Sequence, residues 1–212
     1  FSLAYQFFDV AGYDPLYIKE YGQLVAAWER EKPDISPAAF NRIITPMQFN
    51  NFITDLLGVK YILTQEPIQS EKLILKGKEG DTYLYENKNV FPRVFLVENI
   101  IKAKNDQEEI EKLFALGENL RYTGIVKENI DLTPEKLSEN EYAQITEYSP
   151  NKISIKTRSN TKRLLILTDI YYPTWKAYID REQTKIYESD FAFRGVVVPP
   201  GEHTVIFKID FL

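Results

Sequence analysis

The chain contains no cysteine and a single histidine, His203, among its 212 residues. The lack of cysteine excludes disulfides and thiolate metal sites, and zinc sites usually need several His or Cys ligands. A Ser-His-Asp or Cys-His system needs its histidine in a pocket beside a nucleophile, whereas His203 follows Gly201-Glu202 at a predicted hairpin. We therefore predict no catalytic residue and no metal site, and we assign His203 to a turn or strand end.

Other signatures of chemistry are also missing. The glycine-containing segment 77–80 (GKEG) lacks the spacing of a phosphate-binding loop and opens no predicted helix, so no nucleotide cofactor is indicated. The acids Asp180, Glu182, Glu188 and Asp190 lie close in sequence but lack the spacing of a calcium loop. We interpret these acids as solvated turn residues and expect no cofactor.

A basic excess and long apolar runs are absent as well. The 26 Lys and Arg residues are outnumbered by 31 Asp and Glu, which gives a net charge of −5 and argues against a nucleic-acid partner. No run reaches the roughly 18 to 20 apolar residues that span a bilayer. The chain begins at Phe1 without a methionine and ends directly after a predicted strand, so we interpret it as a piece of a longer protein.

The composition is that of a folded protein. Hydrophobic residues make up 44% of the chain and aromatic residues 14%, including 14 tyrosines and 13 phenylalanines, which suit β-sheet faces. The first part of the chain predicts a mixed α+β unit. It contains predicted helices at 16–30 (with Asp14 as N-cap and Pro15 in the first turn), 48–57 and 106–116, and predicted strands at 59–64, 81–86, 93–97 and 121–126.

The polar segment 129–141 contains Pro134 and has no strong period, so we place a domain boundary there, between residues 1–137 and 138–212. Seven short strands follow it, separated by turn signals, at 142–148, 152–158, 163–169, 175–179, 183–187, 192–198 and 203–209. This spacing predicts an antiparallel β-sandwich of immunoglobulin or jelly-roll type. The predicted fold class is therefore α+β, with the sandwich after the mixed unit.

The segment around Trp175 is the best candidate for ligand recognition. Tyr171, Tyr172 and Trp175 lie at a strand end where Pro173 fixes the bend. Exposed aromatic rings stack on sugar faces and also suit a membrane interface. Arg194 follows in a later strand and is suited to pair with a phosphate or carboxylate.

We take Tyr172, Trp175, Asp190 and Arg194 as the candidate ligand-binding residues. A structural role is the alternative. In that case Trp175 and Tyr178 pack in the sandwich core, and Arg194 bridges Asp190 or Asp180.

Five segments in order resemble one family, the extracytoplasmic C-terminal domain of YfhO-type bacterial membrane proteins. They are 12–17 (GYDPLY), 56–63 (LLGVKYIL), 83–97 (YLYENKNVFPRVFLV), 171–180 (YYPTWKAYID) and 191–203 (FAFRGVVVPPGEH). Phe91 replaces a leucine of the family pattern, Thr174 stands where glycine is common, and Arg181 stands where glycine suits the turn.

The resemblance implies a polytopic parent protein in the cell membrane with a helical core like that of GT-C glycosyltransferases. Its activity would be sugar transfer from a polyprenyl-phosphate carrier onto cell-envelope polymers such as lipoteichoic acid. The acidic catalytic residues of that class lie in loops outside this chain, so the resemblance makes this chain an accessory domain on the extracytoplasmic side. Its implied partners are the membrane helices of its own parent chain and an envelope glycopolymer or lipid-linked sugar. The alternative is a purely structural or protein-contact domain.

Overall fold

The computed structural model describes residues 9–10, 18–37 and 47–209, which divide into a first compact unit up to Phe91 and a second from Pro92. The first unit contains α1 (Lys19–Arg30), α2 (Phe52–Leu56), β1 (Tyr61–Thr64), β2 (Leu73–Glu79) and β3 (Thr82–Asn87). The second begins with β4 (Val94–Val97), β5 (Asn99–Lys102), α3 (Asp106–Leu116), a 3-10 helix (Gly117–Arg121) and β6 (Thr123–Val126). It continues with β7 (Tyr142–Ser149), β8 (Lys152–Ser159), β9 (Arg163–Ile170), β10 (Trp175–Ile179), β11 (Glu182–Thr184), β12 (Tyr187–Ser189), β13 (Phe193–Val198) and β14 (Gly201–Ile209).

Helix α1 buries the apolar positions Leu24, Val25 and Trp28 that the spacing of the sequence predicts, and it also buries Ala26 and Ala27, so it is buried on all sides over Leu24–Trp28. The Trp28 indole donates a hydrogen bond to the carbonyl of Gln48 at 2.9 Å. The predicted N-cap Asp14 and first-turn Pro15 lie outside the described residues. None of the helices within the described ranges combines the length and the apolar character needed to cross a bilayer.

A buried carboxylate organises the rest of the first unit. The side chain of Asp55, in α2, accepts hydrogen bonds from Lys72 at 2.8 Å and from the amide of Asn87 at 2.7 Å. Because a buried charge is costly unless it is paired and hydrogen-bonded, these contacts fix α2 against the three-stranded sheet. In that antiparallel sheet β3 lies between β1 and β2.

The second unit is an antiparallel-rich sandwich, so the predicted α+β class is confirmed. One sheet has the order β11-β10-β14-β8-β7, and the other has the order β4-β9-β13-β12-β6-β5, in which only β5 and β6 pair in parallel. One hydrophobic core draws on both sheets and includes Ile155 and Phe207 from the first and Leu165, Leu167 and Val196 from the second. The alternating apolar positions of these strands produce the two inner faces.

The units divide at a different place from the predicted boundary after residue 137. Strand β4 pairs with β9 along Val94↔Leu167, and Val126 of β6 pairs with Ser189 of β12. Strands from the predicted α+β unit therefore complete one sheet of the sandwich. These pairings join segments that are far apart in sequence, and such long-range partners leave no local sequence signal.

The polar segment 129–141 is held to the sandwich by a fully buried arginine. Nε and Nη2 of Arg163 donate hydrogen bonds to the two carboxylate oxygens of Glu141, each at 2.9 Å. Nη2 of Arg163 also donates to the carbonyl of Lys136 at 3.0 Å, and Nη1 donates to the carbonyl of Glu135. The segment that looked like an interdomain linker is thus anchored inside the second unit.

Candidate functional site

The predicted aromatic turn and the predicted arginine meet in the second unit. Trp175 opens β10 after the turn, where its backbone N–H donates to the carbonyl of Tyr172 at 3.1 Å. The guanidinium of Arg194, in β13, lies 3.8 Å from the centre of the Trp175 ring, which is a close cation–π contact. Tyr172 is 48% exposed. The structure therefore brings Trp175 and Arg194 together and presents Tyr172 to solvent in the same turn.

Three further side chains complete this cluster. Arg93, just before β4, pairs with Oδ1 of Asp169 in β9. The Tyr148 hydroxyl, from β7, donates to Oδ2 of Asp169 at 2.9 Å, and Nη2 of Arg93 donates to the Tyr148 hydroxyl at 3.2 Å. We call Arg93, Tyr148, Asp169, Trp175 and Arg194 the arginine cluster.

A β-bulge places the acid of the arginine cluster. In the pairing of β9 with β13, Phe193 is opposite Ile170 but Arg194 is opposite Leu167, so residues 168 and 169 fall between the two pairs. Bulges of this kind re-aim side chains and are common beside functional sites. Nε of Arg194 donates to the carbonyl of Ile170 at 3.0 Å, which orients the guanidinium at the bulge.

Arg194 is buried, and one of its guanidinium nitrogens has no hydrogen-bond partner. Its side chain is 5% exposed, and its Nη1 is 3.9 Å from Oδ2 of Asp169 without a hydrogen bond. Burial lowers the pKa of Arg194 to about 10, against the opposing effect of the Asp169 charge. Burial and the Asp169 charge raise the pKa of Tyr148 to about 12, so its phenol stays neutral. Arg194 therefore keeps its positive charge at neutral pH.

Asp190 makes a different set of contacts from Arg194. It is fully buried, and its Oδ1 accepts a hydrogen bond from the backbone N–H of Ile125 at 2.7 Å. Its interpretation as a solvated turn residue is therefore wrong, because the β12–β13 turn is folded against β6. Arg194 approaches Asp169 rather than Asp190 or Asp180, so the predicted bridge is also corrected.

A second buried acid, Glu109 of α3, lies in the surroundings of Asp190. One carboxylate oxygen of Glu109 accepts the backbone N–H of Phe191 at 2.9 Å, and the other is 3.3 Å from Nζ of Lys127. Burial raises the pKa of Glu109 to about 7 in spite of Lys127, and burial raises the pKa of Asp190 well above its ordinary range. Burial would lower the pKa of Lys127, but the carboxylates of Asp106, Glu109 and Glu188 around its ammonium group raise it.

The single histidine is structural, as its position at a strand end predicts. Nδ1 of His203 lies 2.6 Å from Oδ2 of Asp180, and Nε2 lies 3.1 Å from the carbonyl of Pro200. Asp180 also accepts the backbone N–H of Thr204 at 2.9 Å. The pair joins the β10–β11 turn to the start of β14, and the Asp180 hydrogen bond raises the pKa of His203.

Two open pockets are found in the second unit, and neither is lined by a side chain of the arginine cluster. The first, of about 310 Å³, is lined by Asp131, Thr133, Glu135, Thr161 and Lys162. The second, of about 280 Å³, is lined by Pro92, Val94, Phe95, Leu96, Arg121, Leu137, Glu141, Tyr142 and Ala143. In the part of the chain that the structure describes, the His, Asp and Glu side chains form no group of three or more placed to hold a metal ion.

Sequence reasoning found Trp175 and Arg194 but missed Arg93, Tyr148 and Asp169. These three residues come from the start of β4, from β7 and from β9, and the sheet pairings bring them together. The only local signal was an ionisable residue at the end of an apolar strand, as in 163–170 (RLLILTDI). That pattern is too common to identify a site.

No protein-family model, curated protein or solved structure matches this chain. The resemblance to YfhO-type proteins therefore stays a prediction.

Proposed function

We propose that this chain is an accessory extracytoplasmic domain of a polytopic membrane protein resembling YfhO, and that it holds a sugar-containing ligand during sugar transfer onto cell-envelope polymers. The ligand is an envelope glycopolymer such as lipoteichoic acid or a lipid-linked sugar. It contacts the exposed ring of Tyr172 and the edge of Trp175, above Arg194.

One observation carries the proposal. The guanidinium of Arg194 lies 3.8 Å from the centre of the Trp175 ring, and the turn before Trp175 exposes Tyr172. Aromatic rings offer flat apolar faces to sugar rings, and a guanidinium beside them offers hydrogen bonds to hydroxyl or anionic groups. The five family-like segments, which include this turn, supply the envelope context.

The test is a titration of the chain with a deacylated poly(glycerol phosphate) glycopolymer. The chain contains two tryptophans, so 5-fluorotryptophan gives two ¹⁹F resonances that separate Trp175 from Trp28. We expect the Trp175 resonance to shift while Trp28, buried in the first unit, stays constant. Constant resonances for both would overturn the proposal.

Tyr172→Ala is the variant that tests the contact surface. Loss of one aromatic contact of about 0.5 to 1.5 kcal/mol would weaken binding roughly two- to tenfold. Tyr142→Ala is the matched control, since Tyr142 is 41% exposed and lies in β7. Equal weakening by both variants would indicate nonspecific adsorption.

A purely structural domain is the second candidate function. It is favoured by the packing of Trp175 against the sandwich core and by the burial of Arg194. Under this alternative, Trp175→Ala costs roughly 3 to 5 kcal/mol of stability, as a core truncation does. A variant that unfolds near the wild-type urea concentration, followed by circular dichroism, would remove this alternative.

A further inference from the structure

We propose that the open edge of β1 is a self-association surface, on which a second copy of this chain pairs antiparallel about a two-fold axis. The pairing joins the three-stranded sheets of the two copies into one continuous sheet. Self-association through β1 is separate from the proposed sugar binding, because β1 belongs to the first unit and the aromatic turn belongs to the second.

The backbone of β1 leaves one side open for pairing. In the part of the chain that the structure describes, β1 pairs with β3 and no strand pairs with its outer side. The backbone N–H of Asn87 donates to the carbonyl of Lys60 at 2.8 Å, so these two residues form a hydrogen-bonded pair just before β1. Because hydrogen-bonded and non-hydrogen-bonded pairs alternate in an antiparallel ladder, the backbone N–H and C=O groups of Tyr61 and Leu63 point away from β3. The outer side of β1 therefore presents donors and acceptors to one more strand.

The side chains of the same two residues are apolar and exposed. Tyr61 is 55% exposed and Leu63 is 68% exposed, whereas Ile62 between them packs in a core cluster of the first unit. Leu63 is opposite Leu84 of β3, which is only partly buried, so the apolar face continues onto the central strand. A strand added to β1 would pair the open backbone groups and cover apolar side chains at the same time.

The other edge of the same sheet carries features that prevent strand addition. β2 has a register shift between Leu75 and Gly77, and its residues Lys76 and Lys78 are exposed. Bulges and exposed lysines are devices that natural proteins use to block edge-to-edge pairing. The β1 segment Tyr61–Thr64 keeps a regular register with β3 and contains no lysine or proline. The sheet thus protects its β2 edge and leaves its β1 edge able to pair.

The charges at the two ends of β1 favour a second copy in antiparallel orientation. Lys60 precedes the strand and Glu66 follows it, and both are exposed. Two-fold pairing brings the Lys60 end of each copy to the Glu66 end of the other, whereas parallel pairing of two copies would bring like charges together. With Tyr61 of one copy opposite Leu63 of the other, the outward backbone groups form roughly four hydrogen bonds across the axis.

The length of β1 predicts a weak dimer. The strand has 4 residues, and one pairing of this length covers less surface than the roughly 1,200 to 2,000 Å² of a standard stable interface. We expect the whole chain to be monomeric at about 10 µM and to show a rising dimer fraction toward about 1 mM, as measured by sedimentation velocity. A sedimentation coefficient without any rise over that range would overturn the proposal.

Leu63→Lys tests the edge directly, because two-fold pairing places position 63 of the two copies diagonally across from each other. Like charges there should weaken association at least about tenfold. Leu75→Lys is the matched control on the protected edge, since Leu75 is 51% exposed and lies in β2. Circular dichroism checks the folding of both variants, which replace exposed side chains. Equal weakening by both variants would overturn the proposal.

A mixture of Leu63→Lys and Leu63→Glu tests the two-fold arrangement. Each variant alone should associate more weakly than the wild type, and an equimolar mixture should recover the association, because opposite charges then face each other across the axis. A mixture that associates no better than either variant alone would overturn the two-fold pairing.

Amide hydrogen exchange locates the contact on the backbone. The N–H groups of Tyr61 and Leu63 point away from β3, so their exchange should slow as the protein concentration rises through the range in which dimers form. Association without slower exchange at these two amides would place the contact elsewhere and overturn the proposal.

Discussion

Replacing Glu141 by glutamine should destabilise the second unit by about 3 to 5 kcal/mol, the usual cost of removing one partner from a buried ion pair. The variant leaves the Arg163 guanidinium fully buried without its counter-charge. The pKa of Glu141 supports the same magnitude. Burial alone would raise it, but the hydrogen bonds of Arg163 and of the backbone N–H groups of Ser138 and Asn160 lower it to about 2. Relative to the ordinary value of 4.5, this corresponds to about 3 kcal/mol.

The sign of the pH dependence follows from the lowered pKa of Glu141. The folded chain holds the carboxylate more strongly than the unfolded chain, so the stabilisation is complete above about pH 4.5 and is lost as the pH falls toward 2. Glu141→Gln should abolish this part of the acid sensitivity. The difference in stability between wild type and variant should therefore shrink between pH 5 and pH 3.

The assay is urea denaturation in a Trp28→Phe background, where the remaining Trp175 reports on the second unit. Glu147→Gln is the matched control, since Glu147 pairs with Lys152 at 2.6 Å on the exposed surface of the sandwich. Exposed pairs contribute about 0 to 1 kcal/mol, so this control should change little. Equal losses for Glu141→Gln and Glu147→Gln would refute the argument, as would a pH-independent difference.

Two further predictions concern backbone strain and a second pH window. Arg181→Gly should stabilise the β10–β11 hairpin by about 1 kcal/mol, because Asp180 and Arg181 have positive φ angles of 49° and 81° and glycine relieves the strain at position 181. Urea denaturation measures the change, and unchanged or lower stability would contradict this prediction. Glu109→Gln should flatten the stability profile between pH 4.5 and 7, because the raised pKa of Glu109 makes its contribution fall as the pH rises through that window. A parallel profile for wild type and variant from pH 5 to 8 would contradict it.

Local patterns predicted the elements of the second unit well where the partner strand is near in sequence. The predicted helix 106–116 matches α3, and the predicted strand 175–179 matches β10. The predicted strand 183–187 is instead two short strands, β11 and β12, which belong to different sheets. The intervening Lys185-Ile186 contains no Gly or Pro, so no local turn signal marks the break between the two strands.

Two strands had no prediction. β5 (Asn99–Lys102) is short and gains its stability from parallel pairing with β6, across the intervening α3. β2 (Leu73–Glu79) is mostly exposed and contains a register shift between Leu75 and Gly77, which breaks the alternation that marks a strand. The partner of β5 is thus distant in sequence, whereas β2 pairs with the adjacent β3 and lacks a prediction because its own residues do not alternate.

The bulge in β9 explains why the sequence predicted Trp175 and Arg194 as site residues but did not predict Asp169 and Arg93. A regular ladder would carry Asp169 on the same face as Leu165 and Leu167, which lie in the sandwich core. The register shift instead places Asp169 between Arg93 and Arg194. The backbone N–H of the neighbouring Thr168 donates to the carbonyl of Arg93 at 3.0 Å, so the same irregularity also fixes the start of β4. Trp175 and Arg194 stand out in the sequence by their residue types. The positions of Asp169 and Arg93 depend instead on the bulge between β9 and β13, which no residue type in the sequence indicates.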